Sequence, residues 1–372
     1  MTECYRNLIL NSNIPIVFHE SLNWNCLKWN SYDWCNSFQN KLLPFRCGKK
    51  ICQKSPYWES LCEVEYHTMD ELVNFCNTAD QKKPNTWWYF DYKHISEHFN
   101  NVLSIISWSD VGFREKGPEC STIWIGSPGA HTPCHIDTYG CNVVAQVFGR
   151  KRWLLFPPTE TKHLKPTRVP YEESSIYSNI NFSCFEQFKD EKFENIYVID
   201  LYPGDILFVP PRWWHYVENL SLAISINTWI SLKNDDIYRM EEALVRYFIS
   251  SITATLSDDV KQILLNPNEL DIENNTKVFD VLNICKNRNT WSRWKSRHFT
   301  YLITKNLNTS KLKKKLALFC TSSGIFISTA PYISWAIILI LSYNESFKFI
   351  LNNLCQGESL KKLFNYLIEL KV

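Results

Sequence analysis

The sequence predicts a mainly β protein with helices, built on an antiparallel sandwich or barrel. Three observations predict it. Between 121 and 230, short apolar runs recur with turn residues between them and hardly a helical period among them. After Ile230 the period turns helical, as in "NDDIYRMEEALVRYFISSI" (234–252). Before 110, short strand-like and helical runs mix with Trp-rich polar stretches. Three regions follow: an α/β N-terminal region (1–110) packing on the core, the β core (111–232), and a helical C-terminal region (233–372).

Along the chain, "PIVFH" (15–19) reads as a strand, and "TMDELVNFCNT" (68–78) as a short helix capped by Asp70 or Thr68. "NTWWYFDY" (85–92) is aromatic and strand-like, and "TIWIGS" (122–127) opens the core series. "NVVAQVFG" (142–149) and "KRWLLFPP" (151–158) are split only by a turn at Gly149-Arg150, which predicts a hairpin. The polar stretch 159–195 reads as an insertion, of a length that is usually functional or mobile. "YVIDLYPGDILFVPP" (197–211) turns at Pro203-Gly204-Asp205 with a strand on each side, and "WWHYVEN" and "SLAISINTWI" complete the series. Beyond it, Ile237, Met240, Leu244, Phe248 and Ile252 form a helical stripe with Asn234 as N-cap.

With 45% apolar residues in 372, a sizeable core can be buried. The 40 basic and 38 acidic residues nearly cancel, so nothing global argues for nucleic acid or an anionic membrane as partner. The run "KLKKKL" (311–316) reads as a solvated helix face. The 14 cysteines form no CxxC pair, and the N-terminus lacks a signal-peptide apolar run. Both predict reduced thiols in a cytosolic or nuclear protein. Residues 316–343 carry no charge and follow Lys313, Lys314 and Lys315, as a membrane span would. Their serines, Gly324 and Pro331 favour two buried helices instead.

The chemistry concentrates in "HTPCHIDTYGCN" (131–142). His135 and Asp137 are two apart, so on a strand both point to one face and can converge on one ion. His215, after a Pro-Pro corner, offers a third ligand. Two histidines and one carboxylate form the facial triad of non-haem Fe(II) sites. In "GRKRWLLF", Lys151, Trp153 and Leu155 share one strand face, and Arg150, Arg152 and Leu154 the other. A buried Lys151 would need an anion. Asn227 shares a face with Ser225 and Trp229. Cys134 and Cys141 read as packed thiols, and His131 as a loop residue without a role.

Residues 15–235, and above all "TPCHIDTYGCNVVAQVFGRKRWLLFPP" and "PGDILFVPPRWWHYVENLSLAISINTW", resemble the JmjC (cupin-type) family of Fe(II)- and 2-oxoglutarate-dependent oxygenases. The resemblance implies a double-stranded β-helix (jelly-roll) core with His135, Asp137 and His215 as iron ligands. It implies Thr132 and Lys151 as donors to the far carboxylate of 2-oxoglutarate, and Asn142 and Asn227 as lining of the cosubstrate pocket. The implied activity is hydroxylation of a protein side chain rather than lysine demethylation, the peptide lying in an exposed aromatic groove near Trp213, Trp214 and Trp229. "YGCN" (139–142) and "RVPYEESSIYS" (168–178) look closest to members named for a small heat-shock-protein partner. That implies such a partner, or a scaffold in which catalysis is vestigial. A metal cupin without 2-oxoglutarate is a third reading, against which Lys151 and Thr132 count. Helix 234–252 sits where related hydroxylases form homodimers, although its stripe would serve its own barrel equally well.

Overall fold

From 122 to 156 and again from 197 to 230, consecutive strands of the β core do not pair with one another; they alternate between two antiparallel sheets. The computed structural model describes residues 2–77, 85–99, 104–233, 235–254, 256–270 and 272. It divides into two units, one of Met1–Thr167 with Ser175–Leu232, the other of Arg168–Ser174 with the chain from Lys233. The Asn234 cap, the 311–316 basic run, the 316–343 segment and the helical reading beyond 272 lie outside the described residues. Among the described residues, no helix is long and apolar enough to cross a membrane.

The first unit begins with α1 (Thr2–Asn11), β1 (Ile16–Phe18), α2 (Ser31–Phe38), β2 (Leu43–Lys49), β3 (Glu63–His67), α3 (Met69–Asn77), β4 (Thr86–His94) and α4 (Ile95–His98). At the start of α3 the Thr68 hydroxyl accepts from the Glu71 N–H at 3.2 Å, and the Glu71 carboxylate accepts from the Thr68 N–H at 2.7 Å. This reciprocal box makes Thr68 the cap, and Asp70 is not. The core continues with β5 (Thr122–Gly126), β6 (His131–Asp137), β7 (Cys141–Phe148), β8 (Lys151–Phe156), β9 (Pro166–Thr167) and β10 (Ser175–Ser178). It closes with β11 (Tyr197–Leu201), β12 (Ile206–Val209), β13 (Trp214–Asn219) and β14 (Ala223–Ile230).

One sheet runs β1-β12-β7-β14-β5-β4-β2-β3 and the other β11-β8-β13-β6-β10-β9. The predicted hairpin at Gly149-Arg150 is therefore corrected: β7 and β8 belong to different sheets, and the tight turn is a crossing between layers. Gly149 has φ +62°, and a Cβ there would stand 1.8 Å from the Leu222 carbonyl oxygen, so only glycine fits the corner. The 159–195 stretch is not a plain insertion either, because β10 adds to the second sheet beside β6.

Apolar layers cover both sheets. Val144, Leu207 and Val209 of the first sheet pack with Trp153, Leu155 and Val217 of the second, and this contact forms the inner layer. On the outside of the first sheet, Val143, Ala145, Ile224 and Ile226 pack with Trp34 and Phe38 of α2. Outside the second, Cys134, Ile136, Phe156, Trp214 and Tyr216 pack with Phe182. Burial of each such large side chain stabilises the fold by about 1.5–3 kcal/mol. Double coverage also corrects the expected aromatic groove: Trp213 and Trp214 are buried, and of the three only Trp229 keeps partial exposure. Finally, Cys52 and Cys184 form a disulfide with Cα atoms 5.3 Å apart, so the cysteines are not all free thiols. Separations of 132 residues escape spacing rules.

In the second unit, α5 (Asp235–Thr253) and α6 (Asp258–Leu264) pack Val245, Ile249 and Leu264 with Val169 and Tyr171. Arg168 donates to Glu242 at 2.9 Å within this cluster.

Candidate metal centre

His135 and Asp137 come from β6, and His215 lies directly opposite His135 on the neighbouring β13. Strand alternation turns all three toward the inner layer, while Cys134, Ile136, Trp214 and Tyr216 turn out. One ligand atom from each of the three lies within 4.8 Å of the others. The His135 Nε2 stands 3.6 Å from an Asp137 oxygen, and the two imidazole centroids are 4.2 Å apart. The cluster matches a two-histidine, one-carboxylate facial triad.

Each member is aimed by a bond on its far side. The His135 Nδ1 lies 2.9 Å from the Pro133 carbonyl and the His215 Nδ1 lies 3.0 Å from the Trp213 carbonyl. A carbonyl only accepts, so each Nδ1 carries the proton and each Nε2 lone pair is left for the centre. The Trp229 indole N–H donates to the second Asp137 oxygen at 3.0 Å. Burial first, then the neighbouring His215, lowers the His135 pKa to about 4, which keeps it a neutral ligand at pH 7.

Further along the same inner face lies a cation. Lys151 opens β8, is 1% exposed, and pairs in register with Asn219 at the end of β13. Burial pulls its pKa down to about 7, with Asp91 acting the other way. Its Nζ reaches the Tyr89 hydroxyl at 3.5 Å. Arg150 and Arg152 turn outward, and Arg152 pairs with Asp200 at 2.7 Å.

Thr132 is three residues from His135, a spacing that alternation alone puts on opposite faces. The β6–β13 ladder shifts register between His215 and Val217, where three steps of β6 oppose two of β13. This bulge resets the phase, and buried Thr132 lies beside the Tyr89 hydroxyl. Across the layer, Asn227 on β14 donates to Asn142 on β7 at 2.8 Å and accepts from the Trp124 indole at 2.8 Å. The two asparagines thus lie together in one buried chain of amides.

Sequence reasoning missed three residues. Tyr89 comes from the N-terminal β4, read only as an aromatic strand. Trp229 was assigned to a groove rather than to Asp137. Asn219 is 1% exposed, and neither of its amide atoms has a hydrogen-bond partner. Gly126 lets this corner form, since a Cβ there would stand 2.5 Å from the Asn219 nitrogen and 2.7 Å from the Tyr89 ring. His131, expected in a loop, is the buried first residue of β6, its Nδ1 on the Gly129 carbonyl at 2.9 Å and its pKa lowered by burial to about 4.

A family model described as a cupin-like domain matches residues 2–236. HSPB1-associated protein 1 of Bos taurus is 38% identical over 284 residues, covering 72% of this chain and 58% of its own length. The Homo sapiens protein of that name is 37% identical with the same coverage. The Danio rerio homolog is 36% identical over 296 residues, covering 74% of this chain and 65% of its own. The chain thus spans less than two thirds of the length of these relatives.

Proposed function

We propose, from the premise that the chain belongs to the cupin-like domain family and is closely related to HSPB1-associated protein 1, that it is an Fe(II)- and 2-oxoglutarate-dependent oxygenase hydroxylating a protein side chain. One observation carries the reading: three convergent ligands share an inner face with a buried lysine that, among the described residues, makes no ion pair. The alternation of β5 to β8 and β11 to β14 between two sheets is read as the double-stranded β-helix.

The residues fit both groups. Two neutral imidazoles and one carboxylate suit Fe(II) and leave coordination positions open. The His215 and Asn219 backbones are four residues apart on β13, about 13 Å along the strand. That distance, bridged partly by the Lys151 side chain, suits a short dicarboxylate lying between metal and cation. When bound, iron and 2-oxoglutarate supply oxygen activation and C–H hydroxylation, with succinate and CO2 as co-products. The protein's own groups do the rest. His135, Asp137 and His215 hold the metal; Lys151, Tyr89 and Thr132 bind the far carboxylate; Asn142 and Asn227 line the pocket wall. Trp229 keeps Asp137 oriented, and the surrounding apolar layer excludes water.

The substrate side chain is assigned to the Tyr177 flank, where Tyr177 lies 5.8 Å from the His135 ring and packs edge-on against Trp58 at 5.6 Å. A small heat-shock protein, after the name of the relatives, is the proposed partner. The test is succinate formation from 2-oxoglutarate by the wild type and by His135→Ala and Asp137→Ala. Turnover should vanish in both variants. Equal turnover in all three would sink the assignment, and none in the wild type would favour a non-catalytic scaffold.

A further inference from the structure

Among the described residues, one other cluster gathers metal donors, and it lies outside the centre above. Cys47 is on β2, and Glu65 and His67 are on β3. The antiparallel register sets Leu43 opposite His67 and Phe45 opposite Glu65, so the three side chains share one face of the first sheet. A thiol sulfur, a carboxylate oxygen and an imidazole nitrogen there lie within 4.8 Å of one another.

The histidine is held as a ligand would be. Its ring stacks on Trp88 at 3.9 Å with planes 4° apart, and Trp88 also stacks on Phe75 of α3 at 4.2 Å and 5°. A Glu71 oxygen lies 3.7 Å from the His67 Nδ1. That carboxylate is itself fixed, since it accepts from the Thr68 N–H at 2.7 Å in the capping box of α3. With a metal on the other nitrogen, a carboxylate on this side would take the Nδ1 proton and raise the basicity of the ligating nitrogen. The other nitrogen, Nε2, meets the Glu65 carboxylate at 2.8 Å.

We propose that Cys47, Glu65 and His67 bind a divalent transition ion of the zinc class, with Glu71 as a positioning residue behind His67. The mixed sulfur, nitrogen and oxygen set selects such an ion over calcium or magnesium, which take oxygen donors. Binding releases the Cys47 thiol proton to solvent as the metal–sulfur bond forms. It also replaces the hydrogen bond from the His67 Nε2–H to Glu65 by two metal–ligand bonds, the ring proton passing through solvent from Nε2 to Nδ1 on the Glu71 side. The ion would pin β3, the terminal strand of its sheet, to β2.

The test uses the full chain carrying His215→Ala, which disables the first centre, stripped of metal and titrated with Zn(II) against a chromophoric chelator and separately with Co(II). One equivalent of Zn(II) is expected, and Co(II) should give a thiolate-to-cobalt charge-transfer band with tetrahedral ligand-field bands. Cys47→Ser should abolish the charge-transfer band, and Glu65→Ala, an exposed position that leaves packing intact, should weaken Zn(II) binding at least tenfold. Glu71→Gln should weaken it by about 10–100-fold. No bound zinc, or binding that Glu65→Ala and Cys47→Ser leave unchanged, overturns the proposal.

Discussion

The two ends of the inner β6–β13–β8 face are both buried and polar, yet one is internally satisfied and the other is not. At the His135 end, each of the three ligands has its outward polar atom bonded, to Pro133, Trp213 or Trp229. At the Lys151 end, the ammonium has one contact of 3.5 Å to Tyr89, and the Asn219 amide has none. A buried amide without partners costs about 1–3 kcal/mol, and a buried ammonium without an anion costs more. The first end is built to aim lone pairs at a point. On the proposed function, the second is the end that receives the far carboxylate of 2-oxoglutarate.

Substitutions can break that contrast, and Lys151→Met should do so most strongly. It should weaken 2-oxoglutarate binding at least about 100-fold, since it removes the cation proposed to hold the far carboxylate. The same change should raise the melting temperature of the ligand-free protein, because it removes a buried charge that makes no ion pair among the described residues. Melting curves with and without 2-oxoglutarate check both halves. Trp229→Phe should weaken metal affinity by about 10–100-fold through loss of its bond to Asp137, read by Fe(II) or Co(II) titration. Asn219→Leu should weaken 2-oxoglutarate about tenfold with little change in stability, as both amide atoms are already without partners.

The smallest effect is pH dependence. Burial lowers Lys151 from 10.5 to about 7, so above that pH the ligand-free site is mostly neutral and carboxylate binding must take up a proton. Affinity for 2-oxoglutarate should therefore fall as pH rises, by about threefold between pH 6.5 and 7.5. Stability runs the other way. From about pH 7 to 10.5 the unfolded chain binds the extra proton, so this lysine's penalty on the ligand-free fold is largest below that window and fades as pH rises through it. Isothermal titration across that range, repeated on Lys151→Met, separates this lysine from other groups.

What the sequence made legible follows from strand alternation. His135 and Asp137 are two apart, and Lys151, Trp153 and Leu155 alternate inward on one strand, so local spacing placed each set on a face. Thr132 fitted only by resemblance, because its phase depends on a bulge that spacing does not display. Tyr89 and Trp229 act through partners dozens of residues away, and Asn219 stands opposite Lys151, all set by strand order across two sheets. The Gly149-Arg150 turn was recognisable as a turn, yet nothing local says which sheet each flanking strand joins. Trp213 and Trp214 looked like an open groove because alternation exposes one of two neighbours only when one sheet face is bare, and here both are covered.

The most direct measurement of the central claim is an anaerobic titration of the metal-free protein with Fe(II) and 2-oxoglutarate, followed by visible absorption. A metal-to-ligand charge-transfer band should appear at one equivalent of iron in the wild type and be absent in His215→Ala. A wild type that takes up Fe(II) and 2-oxoglutarate without that band, or a band unchanged in His215→Ala, would contradict it.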